Sequence, residues 1–129
     1  MHTRDQIYAA TIYDQVTKIR EKEAEYKAYG AMAHKLPILI RTAGLAQALE
    51  FVNSRGKDVQ KLLLTDLATT IEQKDTKTLL ESVRSVPLGD YMRLTQHVMG
   101  ALLWYKRFAQ SILGVDASEA ALEEEDKND

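Results

Sequence analysis

The sequence predicts an all-α protein, a single-domain bundle of about five to six helices. Apolar residues recur at spacings of three and four along most of the chain, and no segment shows the alternation of a half-buried strand. The 129 residues, of which 45% are hydrophobic, are enough for one compact core and too few for two. We therefore expect one helical domain over residues 1–115, followed by an acidic tail over residues 116–129 that is frayed or disordered.

The first helix is predicted to begin after Thr3, because Thr3 and Gln6 have the residue types and spacing of a capping box. Apolar residues follow in helical register, and an amphipathic helix results. These residues are Tyr8, Ile12, Val16, Ile19 and Tyr26.

A second helix is predicted between Pro37, which suits a first helical turn, and Gly56, which suits a helix end; Gly30 should loosen the chain before it. An advance of 100° per residue places Arg41 in a strip of mostly small residues, away from Glu50, the helix's only acidic residue. The strip consists of Pro37, Arg41, Gly44, Ala48 and Arg55. Arg41 then has two interpretations, an ion pair with a carboxylate of a neighbouring helix or a contact with a polyanion.

Three more helices complete the prediction. One runs from about Lys57 to Gln73, and a shorter one follows Asp75, which can cap it. The last and longest helix is expected to start between Pro87 and Asp90 and to run to Gly114, a residue typical of helix ends.

One face of this last helix combines basic residues with a tryptophan. It consists of Arg93, His97, Gly100, Trp104, Arg107 and Ser111. Guanidinium groups suit phosphates and an indole can stack on a base, which is typical of an RNA surface. The opposite stripe is apolar, however, and Met92, Met99 and Leu103 fill the side between the two. The helix is therefore also predicted to be mostly buried, with Trp104 in the core, and both interpretations of Trp104 stay open.

The charge of the chain is unevenly distributed. Residues 116–129 hold seven acidic residues and one lysine, a net charge of −6, whereas residues 1–115 hold sixteen basic and twelve acidic residues, a net charge of +4. A mildly basic body is compatible with a polyanion partner but does not require one.

Several function classes find no support in the sequence. The chain has no cysteine, and its three histidines lack the spacing of metal or catalytic sites. His34, beside Lys35, has two interpretations, a pH sensor or phosphate contact and an exposed histidine at a helix end, and we favour the second. We thus expect no catalytic residue, no metal, no cofactor and no enzymatic activity. No segment has the length and apolarity of a membrane helix or a signal peptide, so a cytoplasmic protein is expected.

Two segments resemble a known family. Residues 35–51, KLPILIRTAGLAQALEF, resemble the signature of the Cmr small subunit, the all-helical small protein of type III-B CRISPR effector complexes, which are guided by RNA and target RNA. DYMRLT at residues 90–95 and LWYKRFA at residues 103–109 are similar to the C-terminal helix of that family. The two motifs occur in the order that the family has.

The resemblance implies a subunit without catalytic activity that takes part in antiviral defence and stacks in several copies along the effector filament. The implied partners are other Cmr effector subunits (backbone subunits and further copies of itself), the guide RNA and the target RNA. The residues then expected to contact RNA are Lys35, Arg41, Arg93, Arg107 and Lys106. Lys106 can instead pair with a backbone subunit, because it projects toward the apolar side of its helix. The alternative is a purely protein-binding helical scaffold or adaptor without direct RNA contact.

Overall fold

The computed structural model describes residues 1–118, which contain six α-helices and no strand. The helices are α1 (Arg4–Lys22), α2 (Tyr26–Ala43), α3 (Leu45–Arg55), α4 (Asp58–Thr70), α5 (Thr76–Ser85) and α6 (Leu88–Ser111). The predicted all-α fold is confirmed. Most of the acidic tail lies outside the described residues, so its frayed or disordered state stays a prediction.

Two helix starts follow the local capping signals in the sequence. At α1 the backbone N–H of Gln6 donates to Thr3 Oγ1 at 3.0 Å, and the backbone N–H of Thr3 donates to Gln6 Oε1 at 2.8 Å. At α5 the carboxylate of Asp75 accepts a hydrogen bond from the N–H of Thr78 at 2.8 Å. Both predictions are confirmed, because each bond satisfies a backbone donor that the first helical turn leaves free.

The predicted second helix from Pro37 to Gly56 is wrong. Gly30 and Pro37 both lie inside α2, and the chain breaks at Gly44, whose φ of 89° and ψ of 160° are accessible essentially only to glycine. Gly30 does not loosen the chain but makes room for another segment, since a Cβ there would lie 2.9 Å from Cγ2 of Val115. The strip that joined Arg41 to Ala48 and Arg55 therefore does not exist.

Two other helix ends are followed by a residue with positive φ. After α4, Glu72 has a φ of 64°, and the N–H of Gln73 donates to the carbonyl of Ala68. After α6, Gly114 has a φ of 69°, and the N–H of Val115 donates to the carbonyl of Ala109. The second arrangement folds residues 112–115 back against the bundle.

Helix α6 is packed against α1 on one side and α2 on the other. Tyr8 of α1 lies against Gly100, near the middle of α6. Helix α2 runs antiparallel to α6, because Gly30 lies beside Val115 and Gly44 lies beside Tyr91. A single hydrophobic cluster fills the space between the helices, so these residues fold as one unit.

A polar cluster lies within this core and joins four helices. Tyr29 of α2 donates to the carboxylate of Asp66 on α4 at 2.7 Å. Gln15 of α1 accepts from Tyr105 of α6 at 2.6 Å and donates to Thr70 of α4 at 3.1 Å. Burial raises the pKa of Asp66 and of both tyrosines. The hydrogen bonds fix how the four helices are rotated relative to one another.

Candidate nucleic-acid interface

The two antiparallel helices α2 and α6 carry the positive charge of the body. Six of their residues are basic and Asp90 is their only acidic residue, which gives the pair a net charge of +5. The basic residues are Lys27, Lys35, Arg41, Arg93, Lys106 and Arg107. The two helices are neighbours, so they concentrate positive charge in one part of the bundle.

Arg41 is exposed in the last turn of α2. Arg41 lies on the same face of α2 as Gly30 and His34, because helical intervals of three and four residues separate them. Gly30 and His34 both contact Val115, in the segment after α6. Arg41 therefore points toward the α6 side. No carboxylate of residues 1–118 forms the ion pair with Arg41 that one interpretation predicted. The negative end of the helix dipole favours a cation at this position.

Arg93 is exposed near the start of α6 and forms an ion pair with Asp90 at 3.0 Å. Both side chains are more than half exposed, so the pair is screened by water and can open at little cost. Arg93 also lies near His97, whose pKa is lowered by burial and by the positive charges of Arg4 and Arg93. Arg4 was missed by the sequence reasoning, because only the crossing of α1 and α6 brings it to this site.

The predicted face of α6 that contains Trp104 is the side against which α1 packs. Trp104 Nε1 donates to the carboxylate of Asp5 at 2.8 Å, and Tyr8 lies 3.9 Å from the position of a Cβ on Gly100. The indole also packs against the ring of Phe108, with 5.7 Å between centroids. Trp104 is thus partly buried and held by α1, and this arrangement does not leave it free as an open stacking platform.

Arg107 and Lys106 lie exposed toward the other end of α6. Arg93 and Arg107 are fourteen residues apart, which corresponds to about 21 Å along the helix. One strand of a duplex carries a phosphate for about every 3.4 Å of helix axis, so roughly six of its nucleotides would cover this distance. Lys35 differs from these residues, because it is half-buried and its Nζ lies 5.3 Å from the ring centroid of Phe51 on α3.

The prediction of an exposed His34 is wrong. The side chain is 4% exposed, and its Nε2 lies 2.7 Å from the carbonyl oxygen of Val115. Since a carbonyl only accepts, Nε2 carries the hydrogen, and Nδ1 has no hydrogen-bond partner in the described part of the chain. His34 therefore anchors the segment that follows α6 and cannot reach a phosphate at the surface.

The prediction of a mostly buried α6 is also wrong in part. Met92 and Leu103 are 56% and 48% exposed, and Leu88 in the first turn is 73% exposed. The predicted apolar stripe on the opposite side is buried at Val98, Leu102 and Tyr105. The outward side of α6 is thus partly apolar and bordered by basic residues.

Residues 1–118 lack two further features, a candidate membrane span and a metal site. No helix in this range is long and apolar enough to cross a membrane. No group of three or more histidine, aspartate and glutamate side chains in the same range is arranged to hold a metal ion.

Comparisons with known proteins agree with one another. Residues 4–112 match the family model described as CRISPR-associated protein (Cas_Cmr5). The chain is 44% identical over 113 residues to the CRISPR system Cmr subunit Cmr5 of Thermus thermophilus, an alignment that covers 88% of this chain and 98% of the relative. The X-ray crystal structure of a CRISPR-associated Cmr5 family protein from the same organism superimposes with a TM-score of 0.83 at 45% identity, over 87% of this chain and 98% of that one.

Proposed function

Because the chain belongs to the Cmr5 family of CRISPR-associated proteins, we propose that it is a small subunit of a Cmr, type III-B, CRISPR effector complex in the cytoplasm. Other Cmr subunits are then its partners. The family resemblance read from residues 35–51 and 90–109 is confirmed by the match over residues 4–112. The role in antiviral defence is that of the complex as a whole.

We further propose that the subunit performs no chemistry, that several copies stack along the filament, and that a basic surface helps to hold the guide and target RNA. The surface consists of Arg41, Arg93, Lys106 and Arg107, with Lys35 at its edge. Point charges of this kind hold phosphates without reading bases, so base pairing with the guide supplies the sequence specificity. Stacked copies align their surfaces, and binding that is weak for one subunit becomes strong for the row.

One observation carries the RNA proposal: α2 and α6 together hold six basic residues and one acidic residue. The single acidic residue, Asp90, is paired with Arg93 at the solvent-exposed surface, where a phosphate can compete for the same guanidinium. Arg41 and Arg107 are exposed as well. The proposed contact thus needs no rearrangement of the bundle.

The test is a complex reconstituted with the triple variant Arg41→Ala, Arg93→Ala and Arg107→Ala. We expect normal assembly and weaker retention of target RNA. If each arginine holds one phosphate of a single strand, the slope of log affinity against log salt falls by about 2, at roughly 0.7 per phosphate. The comparison is made at several salt concentrations, because one concentration cannot separate phosphate contacts from other losses.

A matched control removes the same charge elsewhere. Lys22, Lys74 and Lys77 are exposed on α1, the loop before α5, and α5. Their triple alanine variant should retain RNA as the unchanged protein does. If both triple variants lost RNA equally, the loss would be caused by the change in net charge and not by the position of the arginines. This result would contradict the proposed surface.

A purely protein-binding scaffold is the second candidate, and the exposed apolar residues Leu88, Met92 and Leu103 of α6 favour it. The two functions differ in crosslinking within the complex. A scaffold gives crosslinks only to protein, whereas the proposed surface gives crosslinks to RNA near Arg93 and Arg107.

A further inference from the structure

A small cleft lies where α5 and the turn after α4 meet the first half of α6. We call it the α5–α6 cleft. It is lined by Gln73 after α4, by Ser82 and Val86 at the end of α5, and by Asp90, Arg93, Leu94 and His97 of α6. Its volume is about 180 Å³, below the roughly 300–1,000 Å³ of pockets that hold drug-sized ligands. The space therefore suits one small ring system and not a large ligand.

Backbone hydrogen bonds hold the walls of the α5–α6 cleft in place. The N–H of Gln73 donates to the carbonyl of Ala68 at 2.8 Å, which closes the turn after α4. The N–H of Val86 donates to the carbonyl of Ser82 at 3.0 Å, and α6 begins directly after Pro87. The cleft is thus formed before a ligand binds, so that binding needs little ordering of the protein.

The cleft combines apolar surface with polar groups that have room for another partner. Val86 and Leu94 supply the apolar surface. Ser82 Oγ donates to Gln73 Oε1 at 3.4 Å, which is a long hydrogen bond, and the side-chain N–H groups of Gln73 have no acceptor among residues 1–118. In the free subunit, water can take these positions. A ring with polar atoms at its edge fits this lining, because its faces meet apolar side chains while its edge meets the amide and the hydroxyl.

The charges of the cleft disfavour a bare anion. Burial and the positive charges of Arg4 and Arg93 lower the pKa of His97, so its ring is neutral at neutral pH. The carboxylate of Asp90 lies in the lining and pairs with Arg93 at 3.0 Å. This carboxylate repels an anion inside the cleft but accepts hydrogen bonds from the N–H groups of a neutral ring. The charges thus favour a neutral group in the cleft and a negative group at Arg93.

One nucleotide of an RNA strand has both of these parts. Its base is a neutral ring system with donors and acceptors at the edge, and its phosphate is negative. Proteins that bind single-stranded RNA often hold an unstacked base through its faces and its edge. A phosphate that takes the guanidinium of Arg93 also releases the carboxylate of Asp90, which is then free to accept from the base.

We propose that the α5–α6 cleft receives one base of a bound RNA strand, with the adjoining phosphate at Arg93 and the edge of the base between Gln73 and Asp90. This base site rests on the proposed function, since Arg93 belongs to the proposed RNA surface. A side chain of another subunit is a poorer occupant, because it brings no phosphate to Arg93.

The first experiment titrates the full chain with single nucleotides by NMR. The probes are AMP, GMP, CMP and UMP, and ribose phosphate serves as the probe that has a phosphate but no base. Isotope labels on the side chains report Gln73, Val86 and Leu94 directly. We expect the mononucleotides to shift these three signals and to bind about tenfold more tightly than ribose phosphate, which should affect only the signals near Arg93.

Three single variants separate the base from the phosphate. Gln73→Ala removes an amide from the cleft and should weaken binding of the mononucleotides about two- to tenfold while leaving that of ribose phosphate unchanged. Asn53→Ala is the matched control, because it removes an amide from a second cleft, between α3 and α5. It should change neither affinity. Arg93→Ala should weaken the binding of both kinds of probe, because both carry the phosphate.

A second experiment places the base in a strand. Complexes are reconstituted with guide or target RNA that carries a photoreactive thiouridine at successive positions, and the crosslinked peptides are identified. We expect crosslinks to peptides that contain Gln73 or residues 86–97. Gln73→Ala should weaken these crosslinks, whereas Asn53→Ala should not.

Three outcomes overturn the base site. Equal affinities for the mononucleotides and ribose phosphate, or equal effects of Gln73→Ala and Asn53→Ala, would show that no base enters the cleft. Absence of RNA crosslinks at the cleft, with mononucleotides still bound by the free subunit, would show that the strand does not use it in the complex. Failure of the proposed function is seen separately, because the triple arginine variant would then retain RNA normally, whereas it still loses RNA if only the base site is wrong.

Discussion

Gly30 provides the sharpest test of the packing between α2 and the segment after α6. A Cβ at residue 30 would lie 2.9 Å from Cγ2 of Val115, 3.1 Å from its Cβ and 3.3 Å from Cδ1 of Leu113. Gly30→Ala must therefore displace this segment, at a cost of about 1 to 3 kcal/mol for overpacking. The same substitution gains up to about 1 kcal/mol from helix propensity, so its net effect alone is ambiguous.

Gly89 resolves the ambiguity as a matched control. It also lies in a helix, at the second residue of α6, and a Cβ there would meet nothing within 4 Å. Gly89→Ala should raise the free energy of unfolding by a few tenths to about 1 kcal/mol. In urea unfolding, Gly30→Ala should therefore be less stable than Gly89→Ala by about 1 to 3 kcal/mol. Equal changes in the two variants would refute the packing argument.

A double-mutant cycle then identifies the contact. Val115→Ala removes the Cγ2 atom closest to residue 30 and should by itself cost about 1.5 kcal/mol for two buried methyl groups. In that background Gly30→Ala should lose part of its penalty, because the Cβ of residue 115 and Cδ1 of Leu113 stay in place, and the coupling energy should be about 1 kcal/mol. If the two changes in the free energy of unfolding simply add, the overpacking does not involve the side chain of Val115.

Three other substitutions test separate parts of the bundle. Glu72 has a φ of 64°, so Glu72→Gly should raise the free energy of unfolding by about 1 kcal/mol, and a lower urea midpoint would contradict the strain. Burial raises the pKa of Asp66, so the carboxyl group of Asp66 holds its proton more tightly in the folded protein than in the unfolded chain. The contribution of Asp66 to stability is thus full below its unfolded pKa of about 4 and falls as the pH rises through the higher folded value. Asp66→Asn, which can still accept from Tyr29, should therefore gain stability relative to the unchanged protein as the pH rises above about 4, and parallel urea midpoints from pH 4 to 7 would contradict this. Tyr91 Oη accepts the backbone N–H of Ala46 in the first turn of α3, so Tyr91→Phe should cost about 1 kcal/mol. It should also speed hydrogen exchange of the Ala46 amide more than that of amides in α5, and unchanged exchange would show that the bond is not needed.

The parts of the fold that the sequence predicted depend on local bonds. The capping box of Thr3 and Gln6 and the cap of Asp75 each join residues three positions apart, so nothing distant can change them. Gly30 and Pro37 were misread because their roles depend on tertiary partners. Glycine at position 30 is required by Val115, which is 85 residues away, and the true break at Gly44 depends on a backbone conformation that composition does not reveal.

In the candidate site, too, positions set by local helical spacing were predicted, whereas those set by distant parts of the chain were not. Arg41, Arg93, Lys106 and Arg107 are exposed on α2 and α6, where helical spacing could place them, although Arg93 and Arg107 belong to the face of α6 that meets α1. Their contact with RNA stays a prediction. His34 and Trp104 were harder to place, because their surroundings are set by Val115 and Asp5 on distant parts of the chain. The same applies to Arg4, which joins the site only through the packing of α1 on α6.

The polar cluster in the core has a consequence for how this sequence can evolve. Its five members, on four helices, satisfy one another, so replacing one of them leaves a buried donor or acceptor without its partner. They are Gln15, Tyr29, Asp66, Thr70 and Tyr105. Single replacements should therefore be rare, whereas a joint change to apolar residues of similar volume is tolerated. Among relatives, these five positions should vary together as a set, while the neighbouring leucines interchange one at a time with other apolar residues.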